Sequence, residues 1–426
     1  MAGKGAKASG LVTPRSPLAP AGFPDLPPVA GIRFAAAEAG VRYRGRPDVM
    51  LAEAPPGTQV AGVFTRSATR AAPVLWCEAR LAEHQATAGT GGLAVIVNAG
   101  NANAFTGTNG SAGVYRTAEA TGAALGLAPE QVFVASTGVI GEPLDPERIV
   151  AKLAELQQGL APDRAHEAAR AIMTTDTYAK GALAEVALGN GTARIVGIAK
   201  GSGMIAPDMA TMLAFVFTDA AVPSVVLQPM LRRAADATFN CITVDGDTST
   251  SDTVLLMATG KAGAAPIASA RSAAGRAFEA ALTTVMRDLA HQIVKDGEGA
   301  SKFIAIEVSG AASPRAARQV GRAVANSPLV KTALGAGDPN WGRIVAAIGK
   351  AGEKADRDRI AIRFGPHPVA SAGWVDPGYD EAAAAAYMRA DAIKIGIDLG
   401  IGRGTATVWT CDLTERYVQI NADYRS

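Results

Sequence analysis

The chain has 426 residues, 48% of them hydrophobic and 19% charged, so it is long enough to bury large cores in two or three domains. Its 41 basic and 39 acidic side chains leave a formal net charge of +2, which argues against a nucleic-acid-binding or membrane-surface protein. No apolar run approaches the roughly 18 residues of a membrane span. We therefore expect a cytoplasmic protein that acts on small molecules, with no nucleic-acid or membrane partner.

The cysteines and histidines do not indicate a metal site. Cys77, Cys241 and Cys411 lie far apart, and the four histidines are equally scattered. The chain has neither a CxxC nor an HExxH spacing, so it lacks the patterns typical of zinc sites and of a disulfide framework. We predict a protein of a reducing compartment that holds no metal and no bound cofactor.

The first predicted segment is a disordered, proline-rich arm over residues 1–29, because proline removes backbone donors. Beyond it, β-rich runs alternate with alanine-rich helical runs. The predicted elements in this part are strands at 60–65, 93–98 and 132–134, and helices at 112–125 and 146–156. This alternation predicts a layered α/β fold.

The later elements continue the alternation. Two strand-like runs, 193–199 and 213–218, are joined by a short Gly/Pro segment, so we expect them to lie close together. The elements that follow are helices at 223–238, 272–294 and 316–325, a polar loop at 245–253, and strands at 303–308, 360–364, 394–398 and 405–412. We place the domain boundary near residue 300, with α/β domains over 30–300 and 301–426.

One segment imitates a dinucleotide-binding fingerprint. Residues Gly201 to Ala206 read GxGxxA after a strand, and Asp219 ends the next strand. Two features argue against a cofactor site. Pro207 disfavours helical geometry at Ala206, and residues 204–212 are too few for a crossover helix of about a dozen residues. We therefore reject this interpretation.

Two Gly-rich segments carry hydroxyl groups that suit acyl chemistry. Residues Ala135 to Gly141 follow a strand, and a glycine turn there would direct backbone N–H groups at an oxyanion, with the Thr137 hydroxyl as a further donor. An ordinary strand-to-loop turn is the alternative. The second segment brings Thr211 to the start of a strand. A threonine nucleophile needs a base, and its own α-amine would serve if the chain were cut before it; a plain strand-edge threonine is the alternative.

Nine ordered blocks of the sequence resemble one known family. They are AGVFTRSATRAAPV (Ala61–Val74), VNAGNANAFTG (Val97–Gly107), STGVIGEPL (Ser136–Leu144), MTTDTYAKGA (Met173–Ala182), KGSGMIAPDMATML (Lys200–Leu213), TVDGDTSTSDT (Thr243–Thr253), KDGEGASKF (Lys295–Phe303), GAGDPNWGRI (Gly335–Ile344) and NADYRS (Asn421–Ser426). Through them the chain, from about residue 30 to its end, resembles the bifunctional glutamate N-acetyltransferases, also called ornithine acetyltransferases, of arginine biosynthesis.

The resemblance implies a mechanism. The precursor would cut itself between Ala210 and Thr211, and Thr211 would become an N-terminal nucleophile. Its hydroxyl would take the acetyl group from N-acetyl-L-ornithine and pass it to L-glutamate in a ping-pong reaction. The family's oxyanion hole falls on Thr137 and Gly138. The implied architecture is a two-domain layered α/β fold with the site at the domain interface, and the cut chains would form a heterotetramer of two α and two β chains.

The resemblance also implies substrate contacts, which fall on Thr177, Lys200, Thr211, Glu298, Asn421 and Ser426. Lys200 would pair with a substrate carboxylate and Glu298 with the ornithine amino group. The alternatives are a solvated strand end for Lys200, a loop carboxylate for Glu298 and a helix N-cap for Thr177. Ser426 departs from the threonine expected there, and a terminal contact predicts that the last strand returns to the site.

Two other functions stay open. One is a self-cleaving N-terminal-nucleophile amidase or aminopeptidase, in which water resolves the acyl-enzyme; Lys200 and Glu298 favour a free amino-acid substrate instead. The other is a binding protein without chemistry, against which the combination of Thr211, Thr137 and Gly138 argues. The residues do not decide whether acetyl-CoA serves as a second acetyl donor.

Overall fold

The computed structural model describes residues 14–87, 90–189, 191–206 and 212–422. The chain divides into two compact units, a larger one over residues 20–293 and a smaller one over residues 1–19 and 294–426. The sequence places the boundary near residue 300, and the observed division falls between Ile293 and Val294. Among the residues that the structure describes, no helix combines the length and apolarity that crossing a bilayer requires.

The described part of the predicted arm is ordered coil. Residues 14–29 form no helix or strand. In the smaller unit, Ser16 Oγ donates to the carbonyl of Lys295 at 2.6 Å. In the larger unit, the Phe23 ring stacks on His166 with centroids 4.4 Å apart, and Val29 is buried. The prediction of a disordered arm is therefore wrong for residues 14–29, because prolines prevent regular structure without preventing side-chain packing; residues 1–13 lie outside the described residues.

The larger unit contains nine of the described strands and seven of the described helices. The strands are β1 (Arg33–Ala37), β2 (Val49–Ala54), β3 (Gln59–Phe64), β4 (Leu93–Asn101), β5 (Val132–Val139), β6 (Lys180–Leu188), β7 (Gly191–Lys200), β8 (Leu213–Thr218) and β9 (Thr253–Ala258). The helices are α1 (Ala72–Thr87), α2 (Gly107–Leu125), α3 (Glu147–Val150), α4 (Leu153–Gln158), α5 (Ala165–Ala171), α6 (Ser224–Ala237) and α7 (Ala273–Lys295).

Two sheets pack face to face in the larger unit. Their strand orders are β1-β2-β4-β5 and β3-β9-β8-β7-β6. A shared core joins them, with Val97 and Phe133 from the first sheet against Val196 and Phe215 from the second. Successive side chains of a strand point to opposite faces, so the alternate residue Ile96 of β4 packs on the other side, in the cluster that also holds residues of α2 and α4.

The outer face of the second sheet is also covered. A Cβ added at Gly197 of β7 would lie 2.7 Å from Leu289 and 3.0 Å from Val285 of α7, and α6 contacts β3. The larger unit therefore has a helix, sheet, sheet, helix order of layers. Because both faces of each sheet are covered, its strands read as near-continuous apolar runs, which is why the sequence predicts several of them correctly.

The smaller unit contains a six-stranded sheet covered by helices. The strands are β10 (Phe303–Ala311), β11 (Ala361–Phe364), β12 (His367–Ser371), β13 (Trp374–Val375), β14 (Ala392–Asp398) and β15 (Gly404–Cys411), in the order β13-β12-β11-β14-β10-β15. The helices are α8 (Pro314–Ala325), α9 (Pro328–Ala336), α10 (Trp341–Gly349), α11 (Glu381–Tyr387) and α12 (Glu415–Ala422). Ile306 and Ile395 of the sheet share a core with Val320 of α8 and Ile348 of α10.

The α/β class predicted from the sequence is confirmed. The two runs expected to lie close together are the antiparallel neighbours β7 and β8, in which Lys200 pairs with Leu213. Because a dinucleotide-binding unit requires parallel strands, rejection of the fingerprint is confirmed. One expectation is wrong, since the helix at 146–156 is broken into α3 and α4. The expected last strand is β15, which the helix α12 follows, and the terminal contact predicted at Ser426 lies outside the described residues.

Candidate active site

Thr137 and Gly138 lie inside β5, not in a turn after it. The sequence predicts a strand that stops at Val134, but β5 continues to Val139 in parallel with β4. The register shifts here, so that Asn101 of β4 pairs with both Thr137 and Val139. An irregularity of this kind leaves backbone groups out of the regular ladder. The turn interpretation is therefore corrected to a bulged strand end.

Gly138 has to be glycine because another backbone approaches it closely. Its φ is 132°, which side chains rarely adopt, and a Cβ at this position would lie 2.2 Å from the carbonyl carbon of Gly100 and 2.6 Å from the nitrogen of Asn101. The close approach joins the ends of β4 and β5. Any larger residue would push the two strand ends apart.

Buried polar side chains hold this strand end in place. Ser136 Oγ donates to Asn98 Oδ1 at 2.7 Å, and Asn98 Nδ2 donates to the carbonyl of Asn101 at 2.9 Å. Asn101 Oδ1 in turn accepts from the backbone nitrogen of Asn103 at 2.8 Å. All four residues are buried. Because Thr137 directly follows Ser136, this network fixes the backbone from which the Thr137 hydroxyl projects.

Lys200 at the end of β7 contacts Thr137. Its Nζ lies 3.0 Å from Thr137 Oγ1, and the two residues are each 3% exposed. The alternative of a solvated strand end is therefore wrong for Lys200. A hydroxyl beside a buried cation suits a site that stabilises negative charge on a carbonyl oxygen, as in acyl transfer.

Asp176 connects Lys200 with a second buried lysine. Asp176 Oδ1 accepts from Lys180 Nζ at 2.6 Å and from the backbone nitrogen of Gly201 at 2.7 Å. Burial alone would raise the pKa of Asp176, but the charges of Lys180 and Lys200 outweigh it and hold that pKa well below its usual range. The Asp176 carboxyl is therefore an anion at neutral pH.

Thr177 follows Asp176 in the segment between α5 and β6. It is partly buried, and the next element after it is the strand β6 rather than a helix, so the N-cap alternative is wrong. Asp176 Oδ2 accepts from the backbone nitrogen of Thr174 at 2.9 Å, which ties this segment to the same carboxylate. The structure thus brings the Thr177 segment, Lys200 and Thr137 into one buried region of the larger unit.

The predicted cleavage point, Ala210 and Thr211, lies outside the described residues. Met212, the next residue along the chain, donates its backbone N–H to Asp252 Oδ1 at 2.9 Å. Asp252 is 1% exposed. Burial raises the pKa of Asp252 well above its usual value, although the Met212 bond and the charge of Lys200 act in the opposite direction.

Glu298 and Asn421 meet in the smaller unit. Asn421 Nδ2 donates to Glu298 Oε2 at 2.7 Å, and Glu298 is 7% exposed, so it is not a solvated loop carboxylate. The neighbouring Gly299 has a φ of 73°, and a Cβ there would lie 2.7 Å from the nitrogen of Tyr417 in α12. This contact holds the Glu298 loop against the last helix. Ser426 lies outside the described residues.

The sequence misses Asp176, Lys180 and Asp252 as members of the site. The sequence carries a signal for the first two. They lie four residues apart in a block flanked by small residues, and a buried charge needs a partner of opposite charge, so this spacing could have predicted an ion pair. Asp252 carries no such signal, because an acidic residue in a polar loop is usually solvated.

Comparisons with known proteins place this geometry in a family. The model described as the ArgJ family matches residues 33–426. A relative from Ruegeria pomeroyi, an arginine biosynthesis bifunctional protein ArgJ, is 58% identical over 416 residues, which is 97% of this chain and 99% of that protein. The protein of the same name from Nitrobacter winogradskyi is 53% identical over 420 residues, 98% of this chain and 100% of its own.

Two crystal structures also match. An ArgJ from Bacillus halodurans is 44% identical with a TM-score of 0.48, over 49% of this chain and 98% of that one. An ornithine acetyltransferase from Mycobacterium tuberculosis, complexed with ornithine, is 38% identical with a TM-score of 0.36, over 42% of this chain and 92% of that one.

The site is that of an acyl-transfer enzyme. On the family match and the identity with its relatives, the chain belongs to the ArgJ family. The predictions of an acyltransferase and of a role in arginine biosynthesis are thereby confirmed.

Proposed function

We propose that this enzyme transfers an acetyl group from N-acetyl-L-ornithine to L-glutamate through an acetyl-Thr211 intermediate. The observation that carries the proposal is the buried contact between Lys200 Nζ and Thr137 Oγ1, next to the glycine that closes the end of β5. Family membership supports the choice of substrates, since the relatives are named for arginine biosynthesis.

The proposed reaction begins with self-cleavage. One water hydrolyses the Ala210–Thr211 peptide bond, which leaves a carboxylate on Ala210 and a free α-amine on Thr211. This α-amine, with an ordinary pKa of about 7.7 to 8.0, serves as the base for the Thr211 hydroxyl. The hydroxyl oxygen attacks the acetyl carbonyl carbon of N-acetylornithine, ornithine leaves with its amine protonated, and an ester remains on Thr211. The amine of glutamate then attacks the ester and regenerates the hydroxyl.

Thr137 and Gly138 stabilise the oxyanion in both half-reactions. Negative charge develops on the acetyl oxygen in each tetrahedral intermediate, and prearranged donors in a water-poor site stabilise that charge more strongly than water does. Thr137 is 3% exposed and its oxygen contacts a cation, which fits this requirement. Lys200 adds positive charge to the same place.

The remaining substrate contacts are assigned to Thr177, Lys200, Glu298, Asn421 and Ser426. A carboxylate such as Glu298 suits the ornithine amino group, and the Asn421 amide orients that carboxylate by a hydrogen bond of 2.7 Å. The carboxylate group shared by both substrates would pair with Lys200.

The proposal extends to partners and location. The enzyme would hold no metal and no bound cofactor, with acetyl-CoA as a second acetyl donor to be tested. Its cut chains, 1–210 and 211–426, would stay together as a heterotetramer of two α and two β chains in the cytoplasm.

The test is an intact-mass spectrum of the denatured protein, together with an assay of N-acetylglutamate formed from N-acetylornithine and glutamate. We expect two fragments, the second beginning at Thr211, and rapid transfer. Thr211→Ala should give one uncut chain and no transfer, whereas Thr211→Ser, which keeps a hydroxyl, should retain both in part. Transfer by an uncut Thr211→Ala protein would refute the proposal, and release of acetate in place of N-acetylglutamate would favour the amidase alternative.

A further inference from the structure

A buried pair of charges, Asp176 and Lys180, lies next to the end of β7 that carries Lys200. Neither side chain has any exposed surface, and their ion pair measures 2.6 Å. Lys180 begins β6, where it pairs with Ala199 of β7. The proposed reaction uses neither residue. A buried ion pair is weak evidence for stability, because desolvation cancels much of the attraction, so its position beside Lys200 needs another explanation.

The contact between Lys200 and Thr137 sets the direction of the Thr137 hydroxyl. An ammonium group has donors only, so Thr137 Oγ1 accepts from Lys200 Nζ in the 3.0 Å contact. The one hydroxyl proton then points elsewhere and is available to an oxyanion. A neutral amine at the same place could accept that proton instead, and Thr137 would be lost as a donor. The charge on Lys200 therefore decides whether Thr137 can stabilise an oxyanion.

Asp176 is the anion that compensates this charge. Burial disfavours the charged form of any lysine, and Lys200 is 3% exposed. Its charge interacts with two buried carboxyl groups, those of Asp176 and Asp252. Of the two carboxyl groups, Asp176 has a pKa held well below its usual range and is ionised, whereas burial raises the pKa of Asp252. Asp176 is thus the stronger counterion.

The same carboxylate also holds the backbone beside Lys200. Asp176 Oδ1 accepts from the Gly201 nitrogen at 2.7 Å, and Oδ2 accepts from the Thr174 nitrogen at 2.9 Å. Lys180 Nζ donates a second hydrogen bond to Asp176 Oδ1. One carboxylate therefore connects two segments of the chain and neutralises one of two neighbouring ammonium groups, which leaves a net positive charge near Thr137.

We infer that Asp176 and Lys180 are positioning residues of the oxyanion site. Together they hold Lys200 in place as an ammonium, and Lys200 in turn keeps the Thr137 hydroxyl a donor. The inference rests on the proposed acetyl transfer, in which Thr137 donates to the oxyanion.

The test is Asp176→Asn, which keeps the size and an acceptor for Gly201 but removes the negative charge. We expect kcat for acetyl exchange to fall on the order of 10²-fold, as for the loss of one oxyanion donor. KM for both amino acids should rise only at pH values at which Lys200 has lost its proton, because its ammonium group also pairs with their carboxylates. The basic limb of the kcat–pH profile should move to lower pH, because Lys200 gives up its proton more readily without Asp176. A merely structural carboxylate would not move that limb.

A matched control is Asp219→Asn. Asp219 is 5% exposed, and its Oδ1 accepts from the backbone nitrogen of Arg194 at 2.7 Å. Arg194 lies toward the end of β7 opposite Lys200. This variant should lower the melting temperature and leave kcat and its pH profile unchanged. If Asp176→Asn fails to fold, Asp176→Asn with Lys180→Met removes both members of the pair, which buried sites tolerate better, and should show the same loss of kcat.

The outcomes separate the two proposals. The inference would be overturned if the wild-type enzyme exchanges acetyl groups and a folded Asp176→Asn or double variant keeps the same kcat and the same basic limb of the kcat–pH profile. The proposed function would then stay intact. A wild-type enzyme that exchanges no acetyl group would overturn the proposed function, and the inference with it.

Discussion

The proposed functional residues fall in two regions that are built differently. In the larger unit, Thr137, Asp176, Lys180 and Lys200 are all buried. Lys200 bonds Thr137, Lys180 bonds Asp176, and the backbone nitrogen of Gly201 next to Lys200 also donates to Asp176. In the smaller unit, the Glu298–Asn421 pair involves α12, a helix without a buried residue in its described length. The contrast follows from the chemistry. Stabilising an oxyanion requires that water be excluded, whereas a residue that binds a charged amino acid must be accessible from solvent.

The largest effect expected from the contrast is at Thr137. Thr137→Ala removes a donor from the buried region, and we expect kcat to fall on the order of 10²- to 10³-fold. Thr137→Ser keeps the hydroxyl and should retain most of the rate. Steady-state transfer kinetics would measure both variants. Similar losses in the two would mean that the methyl group matters and the hydroxyl does not.

Gly138→Ala should disturb the fold as well as the rate. The added Cβ would overlap the backbone of Gly100 and Asn101, and the strained φ adds to the overpacking, so we expect a loss of about 3 kcal/mol in the free energy of unfolding. Thermal unfolding measures the loss. Gly141→Ala is a suitable comparison, because Gly141 also has a positive φ, here 82°, but no atom lies within 4 Å of a Cβ added to it. Equal losses would show that strain alone is responsible.

A smaller effect is expected at Glu298 in the smaller unit. Glu298→Gln removes the charge offered to ornithine but keeps an acceptor for Asn421, so we expect KM for N-acetylornithine to rise about tenfold, with kcat nearly unchanged. Glu415→Gln, an exposed change at the start of α12, should alter neither constant. A fall in kcat without a rise in KM in Glu298→Gln would contradict the assignment of the smaller unit's residues to substrate binding.

The smallest effect is on stability, at Asp252. Because its folded pKa is raised, the folded state binds a proton more tightly than the unfolded state does. Its contribution to stability is therefore present below the unfolded pKa, about 3.9, and is lost as pH rises through the folded pKa. Asp252→Asn cannot titrate and still accepts from Met212. In the uncut Thr211→Ala background, we expect its melting temperature to gain on that of the parent as pH rises from acid to neutral. A constant difference at every pH would contradict the raised pKa.

Local pattern predicts much of this fold and part of the site. Strands β3 and β8 and helix α6 appear within a few residues of their predicted bounds, since their apolar runs are long and both sheet faces are covered. Helix α12 is missed because its sequence is polar and no described residue in it is buried. The break between α3 and α4 is missed because the spacing of apolar residues over 146–156 is that of one continuous helix.

The sequence by itself determined the family, the α/β class and the residue types that carry the chemistry, because these depend on motifs and on periodicity along the chain. Only the tertiary structure decided that Lys200 contacts Thr137, that its charge interacts with the buried Asp176, and that Gly138 lies in a bulged strand rather than a turn. The physical reason is that burial and charge compensation depend on residues distant in sequence. A lysine at a strand end reads as solvated until a neighbouring strand and a buried carboxylate are seen to enclose it.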